Sequence, residues 1–297
     1  MDSLAPIVIF AFNRPKALEA CINALLSNPE AAQSDLFVFI DGPRQGRGDE
    51  GKVDAVKSIA ASIAGFRSVE VKAADKNKGL GPSVIDGISA VIERYGRVIV
   101  VEDDLVVSRH FLAFINAGLE KYQQEQKVFS ICGCSHKVTR PEGYDFDAYF
   151  CHRSNSCGWG TWKDRWDSCD WELKDWESAR RKGRAFNRWG GSDCFKLLKD
   201  WKEGRNKSWA IRFCYNEFIQ GKVSLFPMKS LVTNIGFDGE GTNCKRWSRF
   251  KYEPDLRDNA DFIFPDTVSV NKSLLRQSLH YHSLILRAYS RIMYMLT

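Results

Sequence analysis

No apolar run in these 297 residues approaches the roughly 18 that a membrane span needs. The N-terminus shows no basic, apolar and small-residue series of a secretory signal, so the cytoplasm is the expected compartment. Neither sign of charge dominates. Lys and Arg number 43 against 37 Asp and Glu, and the resulting +6 suits an anionic ligand or an acidic membrane surface without indicating nucleic acid. Nine cysteines, an odd number scattered through apolar and loop contexts, give no disulfide framework and fit a reducing environment. Cys132, Cys134, Cys151 and Cys157 also miss the spacings of the usual zinc knuckles.

What the chain does have is 44% apolar and 27% charged residues, ordinary for a globular protein and enough for one large α/β domain or two smaller ones. It is organised around Arg97-Val-Ile-Val-Val-Glu102-Asp103-Asp104-Leu105. The β-branched run reads as a buried strand, and three carboxylates follow at once. Adjacent acids at the end of a buried strand repel one another and lose solvation. Mg2+ or Mn2+, which prefer oxygen ligands, would relieve that repulsion. A solvated turn with acids capping the next helix is the alternative.

Ile7 to Phe12 is a second buried-strand run, and Asn13-Arg14-Pro15 supplies an N-cap and a first-turn proline for a helix carrying Leu18, Ile22 and Leu25. Arg14 in that first turn is either part of a diphosphate site or a surface arginine. Leu36 to Ile40 is a strand ending in Asp41-Gly42-Pro43, Arg44 to Gly51 reads as a flexible loop, and Val69 to Val71 is a short strand. Asn77 to Ser83, with Leu80 and Gly81, is a glycine-broken loop opening a helix, and it is neither a Walker loop nor GxGxxG. Strand and helix alternate four times, which predicts a parallel, doubly wound sheet with Asp41 and the acid triad along one edge.

These motifs together, with VIVVEDDL and an aromatic-led helix from Phe111, resemble the GT-A glycosyltransferases over roughly residues 6 to 245. The N-acetylglucosaminyltransferase I type, with Glu-Asp-Asp in place of Asp-x-Asp, is the nearest in pattern. The resemblance implies a GT-A, Rossmann-like doubly wound mixed sheet with a Trp-rich acceptor subdomain and a C-terminal helical tail. The divisions would be 1–127 for the nucleotide-sugar half, 128–250 for the acceptor half of the same domain, and 251–297 for the extension. It also implies that Arg14 contacts the diphosphate, Asp41 the base and Asp103 the ribose, with Phe12, Leu80 and Gly81 beside the nucleotide. Glu102 would face the donor sugar, and Asp104 would be the direct protein ligand of Mn2+ or Mg2+.

In the second half, eight tryptophans between Trp159 and Trp209 either fill a small helical core or offer indole faces to an acceptor sugar. Cys157-Gly158-Trp159-Gly160 resembles the family's donor-sugar segment, which assigns Gly158 and Trp159 there. Inverting transfer needs a base for the acceptor hydroxyl. The relatives' aspartate before a tryptophan is absent from Asn206-Lys207-Ser208-Trp209, so Asp193 and Glu217 are the candidates, with Asp200 and Glu203 nearby. The glycine-rich stretch Asn234 to Asn243 is either a closing loop or a plain connection. Ser273 to Thr297 is a basic, apolar stretch that either lies on an anionic bilayer or packs back on the domain.

The expected function is metal-dependent transfer of a sugar from a UDP-linked donor to a glycan or lipid-linked saccharide in surface polysaccharide synthesis. It would occur in the cytoplasm or at the inner membrane face, with no nucleic-acid partner. A sugar nucleotidyltransferase and a non-catalytic carbohydrate-binding module of the same fold are the alternatives.

Overall fold

Ile-Val-Ile-Phe-Ala has no polar side chain to offer water, and it forms a strand buried along its whole length, β1 (Ile7–Ala11). In the computed structural model, which describes residues 4–237, 255–257 and 259–296, β1 lies inside an eight-stranded sheet. β2 (Asp35–Ile40) and β4 (Arg97–Glu102) flank it in parallel, with Ile7 opposite Leu36 on one side and Ile99 on the other. β3 (Ser68–Ala73) closes that edge, parallel to β2. The crossovers are the helices α1 (Pro15–Leu26), α2 (Glu50–Ala61) and α3 (Leu80–Tyr95). The order β3-β2-β1-β4 is the doubly wound, Rossmann-like half expected of a GT-A sheet.

Side chains alternate between two cores, as the twofold strand period requires. Ile7, Ile9, Ile99 and Val101 meet Leu18, Leu25 and Val53 together with Phe114 of α4 (Phe111–Lys121). Val8, Phe10, Val98 and Val100 face Val84, Ile88 and Ile92 of α3. That helix seats closely because Gly87 has no side chain: a Cβ there would come 2.7 Å from the Phe10 ring and 3.3 Å from Phe39. Gly87→Val is expected to cost about 1–3 kcal/mol by overpacking. The readout is a lower urea midpoint at unchanged slope; an unmoved midpoint would contradict this seating.

Past β4 the sheet becomes mixed. β8 (Trp159–Trp162) inserts antiparallel between β4 and β6 (Val128–Cys132); β9 (Val223–Pro227) runs parallel to β6, and β7 (Ala148–Cys151) ends the sheet antiparallel to β9. The sequence pattern anticipates β6 and β9 but not β7 and β8, whose four residues each are too few to show a period. A separate ribbon pairs β5 (Leu105–Val107) with β10 (Val232–Asn234) and packs on α1.

The tryptophan-rich part folds into α5 (Lys163–Asp167), α6 (Trp176–Gly190), α7 (Cys194–Lys202) and α8 (Ala210–Ile219). Trp159, Trp166 and Trp209 surround Phe213 in the core under α3, and Phe186, Leu198, Ile211 and Tyr215 make a smaller core of their own. These indoles are packing. At the C-terminal end, Asn271 caps α9 (Lys272–His280) by accepting from Ser273 and Leu274, and Leu274 packs on Tyr149 and Phe226. α10 (Leu284–Leu296) follows. Among the described residues no helix is long and apolar enough to cross a membrane.

Candidate active site

β1 and β4 are neighbours, yet the chain leaves β1 toward β2 and β3 before returning to β4. A reversal of this kind opens a crevice at the carboxyl ends of the two strands, where open α/β sheets bind ligands. Arg14 stands on one side of it and the acid triad on the other. Pro15 starts α1 as expected, but Arg14 occupies the cap position, and Asn13 instead donates its side-chain amide to Asp49 at 2.7 Å. Asp49 also takes Arg44 through Nε at 2.6 Å and Nη2 at 2.9 Å, and the Arg44 guanidinium lies 5.2 Å over the Phe12 ring. The 44–51 stretch is therefore tied to the crevice, in place of the flexible loop expected there.

Glu102 ends β4 opposite Phe10, and the Asp103 N–H donates to the Phe10 carbonyl at 3.1 Å. Asp103 Oδ2 accepts the Phe12 N–H at 3.2 Å, and Arg14 Nη1 donates to Asp104 Oδ2 at 3.1 Å. Among the described residues the Arg14 guanidinium is the cation that an ion pair brings to these three carboxylates. Burial, and after it the charges of Asp104 and Asp103, pushes Glu102 up to about 8; burial and Asp104 push Asp103 to about 7.

The ribbon brings a distant segment to the same place. The Ile235 N–H donates to the Asp104 carbonyl at 2.9 Å, and a Cβ on Gly236 would collide with Asp104 Oδ2 while lying 3.0 Å from Arg14 Nη1. Clustered carboxyl oxygens, whose mutual repulsion and burial hold their protons on, and a side-chain-free wall against Asp104 fit a divalent cation. Among the described residues no three His, Cys, Asp or Glu side chains converge to hold one unaided. Of the three acids, Asp104 is the one that meets both Arg14 and the Gly236 wall.

Asp41 does not point at an open base site. Its Oδ1 accepts the Gly42 and Lys78 N–H groups at 3.0 and 2.8 Å, and its Oδ2 accepts the Asn77 side chain and the Gly79 N–H, both at 2.9 Å. Gly42 allows this, since a Cβ there would sit 2.5 Å from the Lys76 backbone. Asp41 therefore shapes the 77–81 loop, in which Leu80 is exposed and Gly81 abuts the Lys207 carbonyl. Asp41→Ala is expected to cost about 2 kcal/mol by stranding these donors. Amide exchange in 77–81 should rise at least roughly tenfold with β6 unchanged; equal exchange would show that the carboxylate does not hold the loop.

Four further expectations are corrected. Trp159 is 1% exposed and stacks on Trp209 at 5.3 Å, so its face is not available to a donor sugar. Gly158, at φ +67°, accepts the Gly133 N–H at 2.7 Å, and a Cβ would meet Val232 at 2.9 Å and Phe111 at 3.1 Å: packing explains the glycine. Glu217 is fully buried, accepting the Ser154 N–H and the Ser224 hydroxyl, both at 2.8 Å, and cannot reach an acceptor. Asp193 is held by Arg153 at 2.6 and 3.2 Å; burial would raise its pKa, but the guanidinium keeps it below the ordinary value. Neither acid is placed to take a proton from a sugar.

Of the expected closing loop, Asn234 to Phe237 are described, with the Gly236 N–H donating to Asn234 Oδ1 at 2.7 Å. Residues 238–243, with Asp238 and Glu240, lie outside the described residues. Gly236 and Asp49 are the site residues that sequence reasoning missed. The glycine-rich composition was a signal for the first, and nothing local marks the second.

No family model and no curated protein matches this chain. Among solved structures, the crystal structure of S. aureus TarS is similar at a TM-score of 0.31 and 11% identity, over 48% of this chain. The match spans only 24% of TarS.

Proposed function

We propose that the chain is a glycosyltransferase that uses Mn2+ or Mg2+ and moves a sugar from a nucleoside-diphosphate sugar, UDP-linked, to a glycan or lipid-linked saccharide. The observation that carries this reading is the Arg14–Asp104 pair, 3.1 Å apart across the β1/β4 crevice and backed by two more carboxylates. Asp104 would hold the cation, which when bound supplies charge neutralisation to a departing diphosphate. Arg14 would bind that diphosphate through its fork of N–H donors. Asp103, fixed by the Phe12 N–H, would orient the ribose, Glu102 would face the donor sugar, and Phe12 with the 77–81 loop would border the base.

One observation favours a second reading. Both acids expected to activate the acceptor are closed off, which supports a binding module that holds a nucleotide sugar without turnover. The nucleotidyltransferase alternative finds no such support: Phe12-Asn13-Arg14-Pro15 turns directly into α1, with no glycine-rich, arginine-bearing loop. The deciding experiment is UDP release across a panel of nucleotide sugars with Mn2+, repeated with EDTA. Release from a donor that chelation stops supports the transferase; saturable binding with no release makes the chain a module.

A further inference from the structure

We propose that α10 and the basic end of α6 form a docking face for an anionic lipid bilayer. α10 turns Leu286, Ser290 and Met293 toward the protein and leaves Ile285 77%, Tyr289 51% and Ile292 52% exposed. Those three recur at i, i+4 and i+7, so they form one stripe, and Leu284, 69% exposed, widens it. A largely apolar stripe in which Leu284, Ile285 and Ile292 are more than half exposed marks a surface that something covers.

The surrounding charge says what covers it. Residues 267–297 contain Lys272, Arg276, Arg287 and Arg291 and no aspartate or glutamate. The turn after α6 is fastened to the start of α10: the Ser192 hydroxyl donates to the His282 carbonyl at 2.7 Å, and Arg287 Nη1 donates to Ser192 Oγ at 3.0 Å. On α6, Arg180 is paired with Glu177, the helix's one acid. Arg181, Arg184 and Arg188 recur at i, i+3 and i+7, are exposed, and make no ion pair with a described residue. A second copy of the chain docking here would bring like charges together. An anionic headgroup layer satisfies both the apolar stripe and the arginines, the former at the acyl boundary and the latter at the phosphates.

The test is co-sedimentation of the full chain with vesicles of phosphatidylcholine, alone or with phosphatidylglycerol. Binding should be at least about tenfold stronger with the anionic lipid and should weaken as salt is raised. Ile285→Ser with Ile292→Ser should lower the partition by about tenfold or more, since two apolar side chains no longer insert. Arg184→Gln with Arg188→Gln should lower it about fivefold per residue on anionic vesicles only. These side chains are exposed, so thermal midpoints should stay at the wild-type value, which separates lost docking from lost folding. Equal binding to both vesicle types, or undiminished binding by the isoleucine variant, would overturn the proposal. So would a solution dimer that the isoleucine substitutions dissolve in a protein that ignores vesicles. None of these readouts depends on turnover of a nucleotide sugar.

Discussion

Asp104→Ala is expected to lower kcat/KM for sugar transfer by about a thousandfold or more, some 4 kcal/mol of transition-state stabilisation. The side chain stands where the β1–α1 turn, the end of β4 and the β10 ribbon meet, with Arg14 on its Oδ2 and Gly236 against it. Its backbone carbonyl, which accepts from Ile235, is untouched by the substitution, so the ribbon should stay in place. The substitution should not destabilise the metal-free protein. Asp104 is one of the charges holding Glu102 and Asp103 above their ordinary pKa values, so its removal relieves that repulsion and offsets the loss of its ion pair with Arg14. An unchanged or raised thermal midpoint beside lost activity is the signature of an electrostatic role. A variant keeping more than a tenth of wild-type activity would remove Asp104 from the chemistry.

Glu217→Gln should make the protein more stable at pH 8 than the wild type while changing little at pH 5. Burial pushes the Glu217 carboxyl from its ordinary value of 4.5 up to about 8, against the opposing help of the Ser154 and Ser224 donors. The folded state therefore keeps a proton that the unfolded chain releases, and stability falls as pH rises from about 4.5 through 8. The full span is up to about 5 kcal/mol for this one group. Glutamine copies the protonated carboxyl, with Oε1 accepting the Ser154 N–H and Nε2 donating to Ser224 Oγ, so its stability should not carry this slope. Glu102 and Asp103 shift in the same direction, but both persist in the variant and cancel in the difference. Parallel stability curves for the two proteins across this window would show that Glu217 is ionised in the fold.

The parts of this architecture that were legible lie where local chemistry and fold coincide. Val-Ile-Val-Val before three acids, and Phe12-Asn13-Arg14-Pro15 before a helical period, each name a strand end without help from the rest of the chain, and the two ends do stand side by side at the β1/β4 crevice. What stayed hidden depends on contacts between distant residues. Nothing near Glu217 announces that the 152–157 segment covers it, or near Trp159 that Trp209 stacks on it fifty residues later. Asp41 has the position of a ligand-binding acid, but its four donors come mostly from 36 to 38 residues downstream. The β5–β10 ribbon joins three-residue strands, too short for a pattern, and yet it carries Gly236 to Asp104. Each misassigned residue was read for its chemistry, and the fold had used that chemistry internally.

The most direct test is a titration with Mn2+ followed by electron paramagnetic resonance, run with and without UDP, on the wild type and on Asp104→Ala. A cation held by one carboxylate and a diphosphate predicts weak binding of Mn2+ alone, binding at least about tenfold tighter once UDP is present, and loss of that enhancement in the variant. Enhancement that survives in Asp104→Ala, or no enhancement by UDP in the wild type, would contradict the account.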